Sequence, residues 1–179
     1  MAARNLAATA VSESNGSPAR RARVLVAEDN PFVRAAVVDL LSGHSELLCC
    51  GQVATLAATA QAVTEQKPDL LLLDLMLEDG EALGLIGVLK LQSPALAILV
   101  LSQNDETLYA QRVLEAGAQG YLMKEAAAQN LYHAIKIVLS GKTYLSPAMA
   151  ARLHPRGEAD AAPPHPAGGQ HRRSGSSDR

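Results

Sequence analysis

Tryptophan is absent, phenylalanine occurs once and tyrosine four times, so aromatic residues make up only 3% of the chain. That scarcity excludes the stacked platforms on which proteins lay single-stranded nucleic acid. Cysteine is nearly missing too: Cys49 and Cys50 are the only two, and as neighbours on a strand they would face opposite sides. A disulfide framework is excluded, and a reducing cytoplasm is the expected compartment. No stretch reaches the roughly 18 consecutive apolar residues of a membrane helix, so no membrane contact is expected. The N-terminus lacks the apolar centre of a secretory signal; it resembles an organelle transit peptide only faintly, and a disordered extension is the better reading. Positive charge is sparse in the middle of the chain. Residues 24–151 carry 7 Lys and Arg against 14 Asp and Glu, whereas both ends are mildly basic. An acidic centre of this kind gives no footprint for direct nucleic-acid binding.

What is present suffices for one well-buried domain with chain to spare: 179 residues, 48% hydrophobic and 19% charged. Residues 1–22, with Ser12-Glu13-Ser14-Asn15-Gly16-Ser17-Pro18, show no period and read as a disordered extension. A strand is expected over Ala22 to Ala27, ending on Glu28-Asp29-Asn30. A helix follows from Pro31 to about Gly43, because proline suits the first helical position and Phe32, Ala35, Ala36, Val38, Leu40 and Leu41 make an apolar face. The rhythm then repeats. Strands are expected at 47–53, 69–74, 95–101 and 121–123, and helices at about 55–67, up to about 91 after a loop through 77–80, 106–116 and 126–139. Five β/α repeats with short connections imply a doubly wound five-stranded parallel sheet with helices on both faces.

The run Leu70-Leu71-Leu72-Leu73 is continuously apolar, as a strand covered on both faces requires, and it stops abruptly on Asp74. Four of the five strands end this way, on Glu28-Asp29, Asp74, Ser102 and Lys124. In a doubly wound sheet the first, third, fourth and fifth strands lie side by side, so these side chains converge at the carboxyl edge, where ligands bind. Taken singly, each has a plain alternative: acids and Ser102 as helix caps, Lys124 as a solvated lysine. Taken together they make a site. Three carboxylates placed side by side repel one another and call for a cation, and hard oxygen ligands suit Mg²⁺. With Lys124 as a fixed positive charge and Ser102 as a hydroxyl donor, the pocket suits phosphoryl transfer to Asp74 acting as nucleophile.

In motif order and spacing, residues 23 to about 146 resemble the receiver domain of two-component response regulators. Asp29 and Asp74 are 45 residues apart, Asp74 and Ser102 are 28 apart, and Ser102 and Lys124 are 22 apart. The resemblance implies a flavodoxin-like fold with strand order 2-1-3-4-5, and Mg²⁺ held by Glu28, Asp29 and Asp74. It also implies that Asp74 accepts a phosphoryl group from a histidine kinase or phosphotransfer protein, with Ser102 and Tyr121 as switch residues, Tyr121 turning inward on activation. Met76 sits two residues after Asp74, where the family tunes hydrolysis. A thioether cannot orient water as an amide or acid does, so a long phosphoryl lifetime is expected. The loop after Asp74 departs from the family pattern: it lacks the usual proline and carries Glu78-Asp79, with Ala82 where glycine is common. Gln103 replaces a small residue after Ser102.

The stretch Gly141-Lys142-Thr143-Tyr144-Leu145-Ser146-Pro147 resembles the end of receivers that continue into a LuxR-type helix-turn-helix domain. Residues 148–179 are too few and too poor in apolar residues for such a domain, and they read as a flexible Pro/Gly/Arg-rich tail. The histidines of that tail, His154, His165 and His171, fit no common zinc spacing. The expected protein is thus a receiver at 23–147 that stands alone in two-component signal transduction, catalyses only its own aspartyl phosphorylation and dephosphorylation, and switches protein contacts. A downstream protein is the expected target, and a homodimer is a further expected partner state. Alternatives are a phosphorylation-independent binding module and a DNA-binding regulator truncated before its output domain. A haloacid-dehalogenase-type hydrolase would need an acid at Met76, and a dinucleotide-binding fold would need a glycine-rich turn where Glu28-Asp29-Asn30 stands.

Overall fold

In the computed structural model, which describes residues 20–153, the four leucines of β3 (Leu70–Leu73) are buried on both faces of a parallel sheet. Leu71 and Leu73 enter one apolar core with Leu25, Ile98 and Ile86, while Leu70 and Leu72 enter the other with Val24, Leu99 and Leu131. That alternation is why the run needs no polar position: helices cover both sides. Around β3 stand β1 (Ala22–Ala27), β2 (Leu47–Val53), β4 (Ala97–Ser102) and β5 (Gly120–Met123), all parallel, in the order β2-β1-β3-β4-β5. The expected doubly wound topology is therefore the one observed.

The helices begin where the sequence supplies caps. Asn30 accepts from the amides of Phe32 and Val33 and starts α1 (Pro31–Ser42), with proline at its first turn. Thr55 caps α2 (Leu56–Gln66), which ends at Lys67 in the left-handed conformation. Asp105 caps α4 (Glu106–Glu115). The remaining long helices, α3 (Leu83–Gln92) and α5 (Ala127–Leu139), have no side-chain cap; a 3₁₀ turn over Lys124–Ala126 leads into α5. Within β2, the pairing with β1 skips Cys50, because Val24 faces Cys49 and Leu25 faces Gly51.

Two expectations need correction. The connection after Asp74 is not a plain loop: Met76–Leu77 pairs antiparallel with Gly80–Glu81, and Asp79 at its tip accepts from the amides of Leu56 (2.5 Å) and Ala57 (3.2 Å) at the start of α2. Likewise, the expected tail boundary at 147/148 is too early, since Pro147–Leu153 forms a helix, α6, with Met149 buried against α4. Pro147 opens this helix rather than ending structure. Tyr144 prepares its approach by joining the free edge of β5, where the Tyr121 amide donates to the Tyr144 carbonyl at 3.0 Å. Gly120 permits that approach, because a Cβ there would lie 3.0 Å from the same carbonyl. At the other end, Arg20 is already anchored, its guanidinium 2.5 Å from Asp69. Most of the expected extension (1–19) and the tail histidines lie outside the described residues.

Candidate functional site

Parallel strands share one polarity, so the residues that follow them share one edge. Glu28 and Asp29 follow β1, Asp74 follows β3, Ser102 ends β4 and Lys124 follows β5. The structure brings Glu28, Asp29 and Asp74 together, with one carboxylate oxygen from each within 4.8 Å of the others. Glu28 is 2% exposed and Asp74 6%. Acids so deeply placed need compensation. Lys124 supplies part of it: its Nζ lies 2.6 Å from Glu28 Oε2 and 2.7 Å from Asp74 Oδ2. The 3₁₀ turn begins at Lys124 itself, which fixes its backbone where β5 gives out.

The electrostatics of the cluster follow from this sharing. Burial pushes the Glu28 carboxyl above its usual range, and Asp74 adds to the rise; the hydrogen bond from Lys124 offsets part of it. For Lys124, burial favours the neutral amine, but hydrogen bonds to Asp74 and Glu28 outweigh it and hold the ammonium above its ordinary range. One ammonium serves two carboxylates, so the pocket keeps net negative charge. Backbone amides complete the arrangement: Asn30 donates to Glu28 Oε1 at 3.2 Å and Met76 donates to Asp74 Oδ1 at 3.3 Å. Three carboxylates with an unsatisfied charge fit a hard divalent cation better than a borderline or soft metal such as zinc or copper, which favours nitrogen or sulfur ligands.

Ser102 and Tyr121 form a neighbouring group. The amide of Asn104 donates to Ser102 Oγ at 3.1 Å, and the Tyr121 hydroxyl donates to the carbonyl of Asn104 at 2.6 Å. Tyr121 is fully buried, and burial pushes its phenol up to about 12. The ring of Tyr121 therefore lies inward in this structure. Two residues of the site were not singled out from the sequence, Asn104 and Arg34. Asn104 follows Ser102 by two, a spacing typical of a hydroxyl-capped turn. Arg34 carries no such pattern, because its guanidinium donates to the main-chain carbonyls of Glu28 and Asp29. Elsewhere, an open cavity of about 1130 Å³ lies at the opposite edge of the sheet, among Arg20, Asp69, Lys90 and Leu96, and gathers none of the strand-end acids.

Comparison with known proteins agrees with this fold. Residues 24–136 match the profile of the response regulator receiver domain. The oxygen regulatory protein NreC of Staphylococcus aureus is 33% identical over 133 residues, which cover 73% of this chain and 61% of NreC. The chain therefore spans about three fifths of the length of these curated relatives. Among solved structures, a LuxR-family two-component response regulator from Aurantimonas sp. SI85-9A1 superposes with a TM-score of 0.70 at 24% identity, covering 75% of this chain and 96% of that one. The isolated receiver domain of RcsB from Salmonella enterica serovar Typhimurium, in its apo form, superposes with a TM-score of 0.68 at 25% identity, covering 76% and 100%.

Proposed function

The chain belongs to the response regulator receiver domain family, and from that premise we propose that Asp74 accepts a phosphoryl group from a histidine kinase or a phosphotransfer protein and thereby switches protein contacts. The observation that carries the reading is the Lys124 ammonium set between Glu28 and Asp74, with Asp29 completing a cluster of three acids. Glu28, Asp29 and Asp74 would hold Mg²⁺, which supplies positive charge against the oxygens of the transferring group. An oxygen of Asp74 attacks phosphorus, the bond from phosphorus to the donor atom breaks, and its electron pair leaves with the donor. The ammonium of Lys124 already touches the attacked carboxylate and stays beside the phosphoryl oxygens as charge builds.

Readout follows from Ser102. To donate to a phosphoryl oxygen its hydroxyl must turn toward Asp74, which disturbs the bond from the Asn104 amide. Asn104 also holds Tyr121, so the start of α4 and the edge at β5 feel the change. The face built from α4, β5 and α5 is therefore the surface through which a second copy or a downstream protein would sense phosphorylation, and α6 lies along α4 within it.

Reduction with borohydride tests the assignment. The protein is treated with acetyl phosphate and Mg²⁺, then with borohydride, which converts an aspartyl phosphate to the alcohol homoserine. Peptide mapping is expected to find homoserine at position 74 alone. A reduced side chain at any other acid, or none at all, would contradict the reading.

A further inference from the structure

The first turn of α1 carries a cation where the helix dipole disfavours one. Arg34 stands four residues after the cap Asn30, and no acid shares that turn to balance it. The guanidinium turns back out of the helix. Its Nη1 lies 2.5 Å from the carbonyl oxygen of Glu28 and 3.2 Å from that of Asp29. Both carbonyls lie beyond the last residue of β1, and the ladder on this side closes with the Glu28 amide donating to Val53.

Resting on the reading of Glu28, Asp29 and Asp74 as cation ligands, we infer that Arg34 is a positioning residue for that site, holding the acidic turn by its main chain so that both carboxylates face Asp74. Arg34 grips the two ligand residues at their backbone, leaving their carboxylate oxygens available. Both contacts come from one terminal nitrogen, whose two N–H bonds can serve two carbonyls in sequence. Asn30 acts in the same sense from the other side, its amide on Glu28 Oε1 and its side chain capping α1. Asp29 is the half-buried member of the three and depends most on such a hold.

Two effects of Arg34 oppose each other, and their signs separate the proposal from its rival. As a bare positive charge near the acids, Arg34 would weaken cation binding, and its removal would tighten it. As a clamp, it strengthens binding, and its removal weakens it. Supporting groups of this kind change metal affinity by about 10- to 100-fold.

The test is a calorimetric Mg²⁺ titration of the wild-type chain, Arg34→Met and Arg34→Lys, with thermal melts of each in EDTA and in Mg²⁺. The expected result for Arg34→Met is about tenfold weaker Mg²⁺ binding, with a melting temperature in EDTA close to wild type and a smaller rise on adding Mg²⁺. Arg34→Lys keeps the charge but only a point donor, so it is expected to be weakened as well, by less. Unchanged or tighter binding in Arg34→Met would overturn the inference, and so would a fall in the EDTA melting temperature with Mg²⁺ affinity intact. A wild-type chain that binds no Mg²⁺ would instead overturn the reading of the acids, a separate result because no affinity is then left to compare.

Discussion

The hydroxyl of Tyr121 donates to the carbonyl of Asn104 at 2.6 Å, and so ties β5 to the turn that opens α4. Because the amide of Asn104 rests on Ser102 Oγ, this bond joins the buried aromatic to the edge of the acidic cluster. Tyr121→Phe keeps the ring and leaves the Asn104 carbonyl without its donor. The expected cost is about 1–3 kcal/mol of stability, read by urea denaturation, together with faster amide exchange over residues 103–106. Slow exchange there would mean that the turn is held by other contacts.

That phenol also sets a pH dependence. Its folded value is raised to about 12 by burial, above the ordinary value near 10 of an unfolded chain. The native state therefore keeps a proton that the unfolded state gives up, and the stabilisation is complete below about pH 10 and lost as pH rises toward 12. The stability difference between wild type and Tyr121→Phe is expected to shrink across that window. A constant difference would place the phenol in water.

Removing Lys124 leaves Glu28 and Asp74 buried together without their shared ammonium. Breaking a buried pair costs about 3–5 kcal/mol, so Lys124→Met is expected to melt well below wild type in EDTA. Added Mg²⁺ is expected to restore more stability to this variant than to wild type, since the cation then replaces the missing charge. Equal Mg²⁺ effects in the two proteins would show that Lys124 and the cation do not share the acids.

At the far edge of the sheet, Asp69 accepts from the Arg23 amide at 2.7 Å and from the Arg20 guanidinium. Burial would raise its carboxyl, but these bonds outweigh burial and hold it below its usual range. A lowered folded value means stability that is present above about pH 4 and lost as pH falls through the folded value. Asp69→Asn is expected to cost about 1–2 kcal/mol at pH 7 and progressively less toward pH 2, measured by denaturation at each pH. A cost that is the same at both ends would rule out the ionised carboxylate as the source.

Met76 is half-exposed beside Asp74, with its amide on Asp74 Oδ1 and a thioether that cannot orient water. A phosphoryl half-life of minutes or longer is expected, and Met76→Glu is expected to shorten it several-fold, followed by intact mass after removing the phosphoryl donor. A wild-type half-life of seconds would refute this role.

How legible these features were in the sequence depended on whether their cause was local. The leucines of β3 announce a strand covered on both faces, and strand polarity then brings Glu28, Asp29, Asp74, Ser102 and Lys124 to one edge without further information. The pairing of Met76–Leu77 with Gly80–Glu81 involves too few residues to show a period, and its anchor is Asp79 on the distant start of α2. Helix α6 was hidden for a similar reason. Its seven residues carry little pattern of their own, and what orders them is Met149 against α4 and the Ser146 amide on Glu106 at 2.9 Å, forty residues away. Arg34 acts on main-chain carbonyls, which every residue has, so no residue pattern marks its targets, and Asn104 is marked only by its spacing of two from Ser102.

The most direct measurement is the intact mass of the purified protein after incubation with acetyl phosphate, with Mg²⁺ or with EDTA, beside the Asp74→Asn variant. The expected result is a gain of one phosphoryl group, about 80 Da, in wild type with Mg²⁺ and in neither control. No gain in wild type, with the fold intact by circular dichroism, would contradict phosphoryl acceptance at Asp74 and leave a binding module that works through fixed contacts.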